Sequence, residues 1–215
     1  MQTASFASTD SRYVAPLRVS VLSHASCGTL HVAGDVSLLS EPCVAIVGSR
    51  KASRGSLDIA AELAKALVAK RVVVLSGLAA GIDSVSQNAA ICAGGRTVGV
   101  VGTPLDRAYP SSSAALQERI HREHLLVSPF GRGVTTAPWH FPVRDRVIAR
   151  LALATVLVEA DEKSGTRYVV EECIRQGKVV FARCGLLERL AWLRRAAARG
   201  EVAQWDGPEE ILGRL

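Results

Sequence analysis

The sequence predicts an α/β protein built on a doubly wound, mostly parallel sheet with helices on both faces. Three observations carry that reading. Short runs rich in valine recur from residue 43 onward, apolar at consecutive positions, as strands covered on both faces must be. Segments with helical spacing of apolar residues separate these runs. Most of the runs also end in a small-residue turn that leads towards the next helix.

Residues 43–47 (CVAIV) form the first run and end in Gly48-Ser49-Arg50. A helix is predicted over 55–69, where Ile59, Leu63, Ala66 and Leu67 fall at i, i+4, i+7 and i+8. Residues 72–75 (VVVL) follow, closed by Ser76-Gly77, and a helix over 81–93 ends at Gly94-Gly95 in the manner of a left-handed cap. Further strands are expected at 97–101, 125–128, 155–159 and 179–182. Helices are expected at 113–123, 144–153, 166–176 and 186–199, the last with Leu186, Leu190, Leu193 and Ala197 on one stripe. The Ser/Thr-rich start reads as a loosely held arm over residues 1–26, ahead of one domain over 27–215.

Composition bounds the function. With 48% apolar residues the chain of 215 can bury a sizeable core, and aromatics at 5% argue against an aromatic-rich sandwich. A net charge of +6 attracts phosphates, although arginine-rich proteins are often basic for other reasons. Cys27, Cys43, Cys92, Cys173 and Cys184 form no CxxC pair, which reads as reduced, mostly buried thiols in a cytoplasm. No signal-peptide core and no membrane-length apolar run is present, so a cytoplasmic protein without membrane contact is expected.

In such a sheet, ligands bind beyond the carboxyl ends of the strands. The turns there are Gly48-Ser49-Arg50, the stretch from Ser76 and Gly77 to Gly81 and Asp83, Gly102-Thr103, and the stretch from Asp161 to Lys163, Ser164, Gly165 and Thr166. Glycine lets a phosphate approach the backbone, helix N-termini favour anions, and Arg50 and Lys163 add full charges. Each turn alone serves equally well as a tight strand-to-helix connection. Four together point to anion binding. Neither GxxxxGK[ST] nor GxGxxG after a strand occurs, so no nucleotide cofactor is expected. A second patch, 141–150, places Arg144, Arg146 and Arg150 beside Phe141, which suits base stacking or an ordinary charged helix face. His121 and His124 lack a third ligand in sequence reach and read as surface residues, so no metal is expected. Asp83 reads as a holder of its turn.

Taken in order, these residues resemble a known family. The stretches are 30–35 (LHVAGD), 44–50 (VAIVGSR), 76–83 (SGLAAGID), 102–106 (GTPLD) with Tyr109-Pro110, 141–149 (FPVRDRVIA), and 158–160 (VEA) with 163–166 (KSGT). As a set they look like the DNA-processing protein A (DprA/Smf) family. The resemblance implies an extended Rossmann-like fold, a homodimer, and single-stranded DNA binding in a basic pocket. It also implies loading of a RecA-type recombinase during natural transformation, without catalysis. By position the pocket would include Arg50, Gly77, Phe141, Arg144, Arg146, Lys163 and Ser164. The chain departs from the family where Ala80 replaces the usual Arg and Asp145 the usual Asn. The family's flanking helical and winged-helix domains are not recognisable in it.

Two other functions compete. One is a sensor for a nucleotide or nucleotide-derived ligand that controls a partner protein. The other is a phosphoribohydrolase of related fold, disfavoured because Val169 stands where that signature needs Glu, with Glu171 and Glu172 out of register.

Overall fold

The computed structural model describes residues 29–215, together with the backbone at 4–5 and 13–17. In chain order the strands are β1 (Ala4–Ser5), β2 (Tyr13–Leu17), β3 (Leu30–Gly34), β4 (Cys43–Gly48), β5 (Val73–Ser76), β6 (Thr97–Val100), β7 (Arg107–Ala108), β8 (Leu125–Ser128), β9 (Ala154–Glu159), β10 (Val179–Arg183) and β11 (Val202–Trp205). The helices are α1 (Arg54–Ala69), α2 (Ile82–Cys92), α3 (Ala114–Glu123), α4 (His140–Leu151), α5 (Thr166–Arg175), α6 (Leu186–Arg189), α7 (Ala191–Ala198) and α8 (Pro208–Leu212).

Nine strands form the main sheet in the order β11-β10-β9-β4-β5-β6-β8-β3-β2. From β11 to β8 every pairing is parallel, and β3 and β2 add an antiparallel edge. The strands divide their side chains between two cores, as a period of two requires. In β4, Cys43, Ala45 and Val47 pack with α4, α5 and α7, while Val44 and Ile46 pack with α1, α2 and α8. Winding outward from β4 runs through β5, β6 and β8, and then reverses to β9 and β10. The switch point therefore lies between β4 and β9. That is where the doubly wound reading places a ligand.

Several boundaries differ from the sequence reading for physical reasons. Helix α4 begins at His140 and carries Pro142 in its first turn, where the missing N–H has no intrahelical partner to lose. The helix expected over 186–199 breaks at Leu190 (φ −113°, ψ 104°), and the freed Ala191 N–H donates to Glu162 Oε1 at 2.8 Å. In α1 the buried stripe is Ala60, Leu63, Ala64 and Leu67, one step round from the predicted one. Within the segment read as an arm, β1 pairs with β7 and β2 joins the main sheet, and the segment's remaining residues lie outside the described ones. His124 is buried rather than superficial, because its carbonyl accepts from Asp35 N–H at 2.7 Å just after β3. Cys43 and Cys173 are buried, Cys92 and Cys184 are exposed, and Cys27 lies outside the described residues.

Candidate functional site

The turns after β4 and β9 open on one hollow of about 450 Å³ at the switch point. Gly48, Ser49 and Arg50 line it from one side, and Lys163, Ser164, Gly165 and Thr166 from the other. Phe141 and Arg144 close it from the first turn of α4. Nine of the residues expected at the site are thus brought together. Lys51, Asp83, Asp145, Asp161 and Tyr168 also contribute to the wall.

Close backbone packing sets this geometry. Ser49 N–H donates to Glu159 O at 2.8 Å, tying the β4 turn to the end of β9. Glu159 in turn accepts from Ser53 Oγ at 2.7 Å at the start of α1. Burial alone would raise the Glu159 pKa, but the hydrogen bonds from Ser56 and Ser53 outweigh it and hold the carboxyl below its ordinary value. On the β9 side, Lys163 N–H donates to Asp161 Oδ1 at 2.8 Å and Ser164 Oγ lies 2.7 Å from Thr166 Oγ1. Helix α5 then starts at the hollow's edge, with the positive end of its dipole directed there.

The floor is a buried ionic cluster. Arg144, whose side chain is 6% exposed, places Nε 2.9 Å from Asp145 Oδ1 and Nη1 3.9 Å from Asp83 Oδ2. The contact with Asp145 lies off the N–H axis, so it is an ion contact rather than an aligned hydrogen bond. Nη1 also donates to Gly77 O at 2.7 Å. A Cβ on Gly77 would fall onto this guanidinium, so any other residue there would displace Arg144 from the floor. Asp83 accepts from Gly77 N–H at 3.1 Å, which is the turn-holding role expected of it. Burial raises the Asp83 pKa to about 6 against the opposing pull of Arg144, and nearby Asp145 adds to the rise. Asp145 is also raised, chiefly by burial, with Arg144 and Arg50 pulling it down.

The rim differs. Among the described residues, Arg50 and Lys163 make no ion pair. Arg50 Cζ lies 5.7 Å from the centroid of the half-buried Phe141 ring, which in turn meets Tyr109 at 5.2 Å. A smaller hollow of about 140 Å³ adjoins this one, lined by Gly77, Ala80, Tyr109 and Phe141 among others. Arg50 and Arg144 reach its wall as well, and Ala80 adds no further charge there.

Four expected site residues do not line this hollow, and one of them, Gly77, stands in the wall of the smaller one. Arg146 is exposed and does not line the hollow, because two helical steps from Arg144 carry it about 200° round α4. Ser76 is fully buried and spends its hydroxyl on Ile46 O at 2.6 Å. Gly81 adopts φ +85° as the residue before α2, packed against Ser49 O, and serves the turn rather than a ligand. Sequence reasoning missed Lys51 and Tyr168. Lys51 was visible as a second cation beside Arg50, whereas only the α5 register places Tyr168 at the wall. Val169 lines the hollow where a phosphoribohydrolase needs a carboxylate, while Glu171 and Glu172 pair with Arg167 and Arg175.

The fold and site define a doubly wound α/β protein with a cation-rimmed hollow at its switch point. The chain belongs to the DNA recombination-mediator protein A family, which it matches over residues 4–200. It is 38% identical over 149 residues to DNA processing protein DprA of Streptococcus pneumoniae, covering 69% of this chain and 52% of that protein. The X-ray structure of the pneumococcal protein superposes with a TM-score of 0.81 at 32% identity, over 99% of this chain and 74% of that one. DNA processing protein A from Helicobacter pylori, described for its single-stranded DNA binding mode, shares the fold. Its TM-score is 0.79 at 22% identity, over 99% of this chain and 95% of that one. The chain spans about half the length of the curated relatives it matches. Among the described residues no helix is long and apolar enough to cross a membrane.

Proposed function

We propose that the chain binds single-stranded DNA through backbone phosphates held in the switch-point hollow, in the service of DNA recombination. The observation that carries this reading is the meeting of Arg50 and Lys163. They come from turns after adjacent strands, 113 residues apart in sequence, and face one hollow without carboxylate partners among the described residues. Phe141 beside Arg50 supplies a ring on which a base can stack. Gly48, Ser49, Ser164, Gly165 and Thr166 supply the close backbone and hydroxyls around the phosphate. The chain acts by binding, not by catalysis. Membership of the family supports a cytoplasmic homodimer that hands DNA to a RecA-type recombinase, including during natural transformation.

A sensor of free nucleotides is the second reading. A hollow of about 450 Å³ is of small-ligand size, and Asp83, Asp145 and Asp161 thin its positive field. Titration with a single-stranded oligonucleotide, its duplex and a mononucleotide separates the two. The DNA reading expects tight, salt-sensitive binding of the single strand. Mononucleotide binding without oligonucleotide binding would replace it with the sensor.

A further inference from the structure

Trp139 stands immediately before α4 and is 60% exposed, whereas Trp192 and Trp205 are 5% and 1% exposed. A lone ring at the surface is ordinary. This one is fixed in place. It meets Phe130 at a centroid distance of 5.6 Å and an interplanar angle of 78°, and His140 at 4.2 Å and 81°. Those two rings stack on each other at 3.7 Å and 11°, and His140 Nδ1 lies 3.2 Å from Gly102 O. The indole is thereby clamped over the carboxyl ends of β6 and β8, with most of its surface in solvent.

The position matters because the cationic hollow lies at the same sheet edge. Lys163 follows β9 and Arg50 follows β4, and the sheet then runs through β5 and β6 to β8. Three strand spacings of about 4.8 Å separate β4 from β8, a span of roughly 14 Å. Tyr109 and Phe141 occupy the middle of that span, in contact at 5.2 Å. Arg132, on the same connection between β8 and α4 as Trp139, has a side chain 63% exposed whose ion pair among the described residues is a 3.6 Å contact to Asp106. A cation-to-aromatic sequence along one edge is what a strand of nucleotides reads: phosphates on charge, bases on rings.

We propose that Trp139 is a base-stacking platform that extends the single-strand track from the hollow across β6 to β8. The inference rests on the DNA-binding reading above and assigns the next contact along the strand. Pre-fixing the indole reduces the ordering cost of stacking, so the contact contributes to affinity and not only to exclusion of water.

The test uses the full chain and a thymidine homo-oligomer of about 16 nucleotides. Wild-type tryptophan fluorescence is quenched on binding, because Trp139 is the accessible indole. W139A weakens binding about tenfold and abolishes the quench, while W139F abolishes the quench and retains most of the affinity. An abasic strand of equal length binds wild type and W139A alike. Both variants remain folded in thermal unfolding, with W139A lowered by no more than the lost contacts with Phe130 and His140. Unquenched binding by the wild type, with W139A at wild-type affinity, would overturn the platform and leave the hollow standing. Absence of any oligonucleotide binding by the wild type would overturn both.

Discussion

Arg50 and Arg144 line the same hollow and carry the same charge, yet they are in opposite states. Arg144 at the floor is buried, contacts two carboxylates and donates to a backbone carbonyl. Arg50 at the rim leans on Phe141 and pairs with no carboxylate among the described residues. The contrast separates two jobs that a sequence motif merges. A guanidinium buried between carboxylates and bonded to a backbone carbonyl holds the turns around the hollow, and one left unpaired by carboxylates is available to a ligand.

The largest expected effect tests the floor. R144M leaves Asp83 and Asp145 side by side without their cation, and should lower stability by about 3–5 kcal/mol in a urea titration. A loss below about 1 kcal/mol would show that Arg144 is not structural. The pH dependence probes the same cluster. Asp83 has a folded pKa near 6, above the unfolded value of about 3.9, so the folded state holds the extra proton between these limits. The Asp83 contribution to stability should therefore fall as pH rises from about 4 to about 6, read as the difference between wild type and D83N across that window. A wild-type minus D83N difference that rises over the same window would contradict the burial argument.

How much of this was legible beforehand follows the same division. The parallel strands were readable because a buried strand must be apolar at every position, and β8 matched residue for residue. β11 was not, since an edge strand with two of four positions partly exposed carries no such run. At the site, the turns advertised themselves through glycine and charge, and Arg50 and Lys163 did meet. Burial was the missing quantity. Arg144 and Arg146 look alike in sequence, and only the phase of α4 assigns one to the floor and the other to solvent. Trp139 carried no signal, because its role depends on Phe130 and His140 arriving from β8 and α4.

Two smaller effects sharpen the contrast. D145N removes a negative charge from the hollow and should tighten single-strand binding about two- to fivefold, read by anisotropy at fixed salt. Weaker binding would mean that Asp145 is needed to position Arg144. R146A should change affinity by less than about twofold, as befits a cation outside the hollow. A tenfold loss would relocate the DNA path onto the outer face of α4.

The salt dependence of single-strand binding, compared between wild type and the R50A/K163A double variant, addresses the central claim most directly. Each phosphate neutralised contributes about −0.7 to the slope of log K on log[salt], so the double variant should lose roughly 1.4 from that slope along with its affinity. An unchanged slope and affinity, in a variant that unfolds like wild type, would show that the switch-point hollow does not hold the DNA backbone.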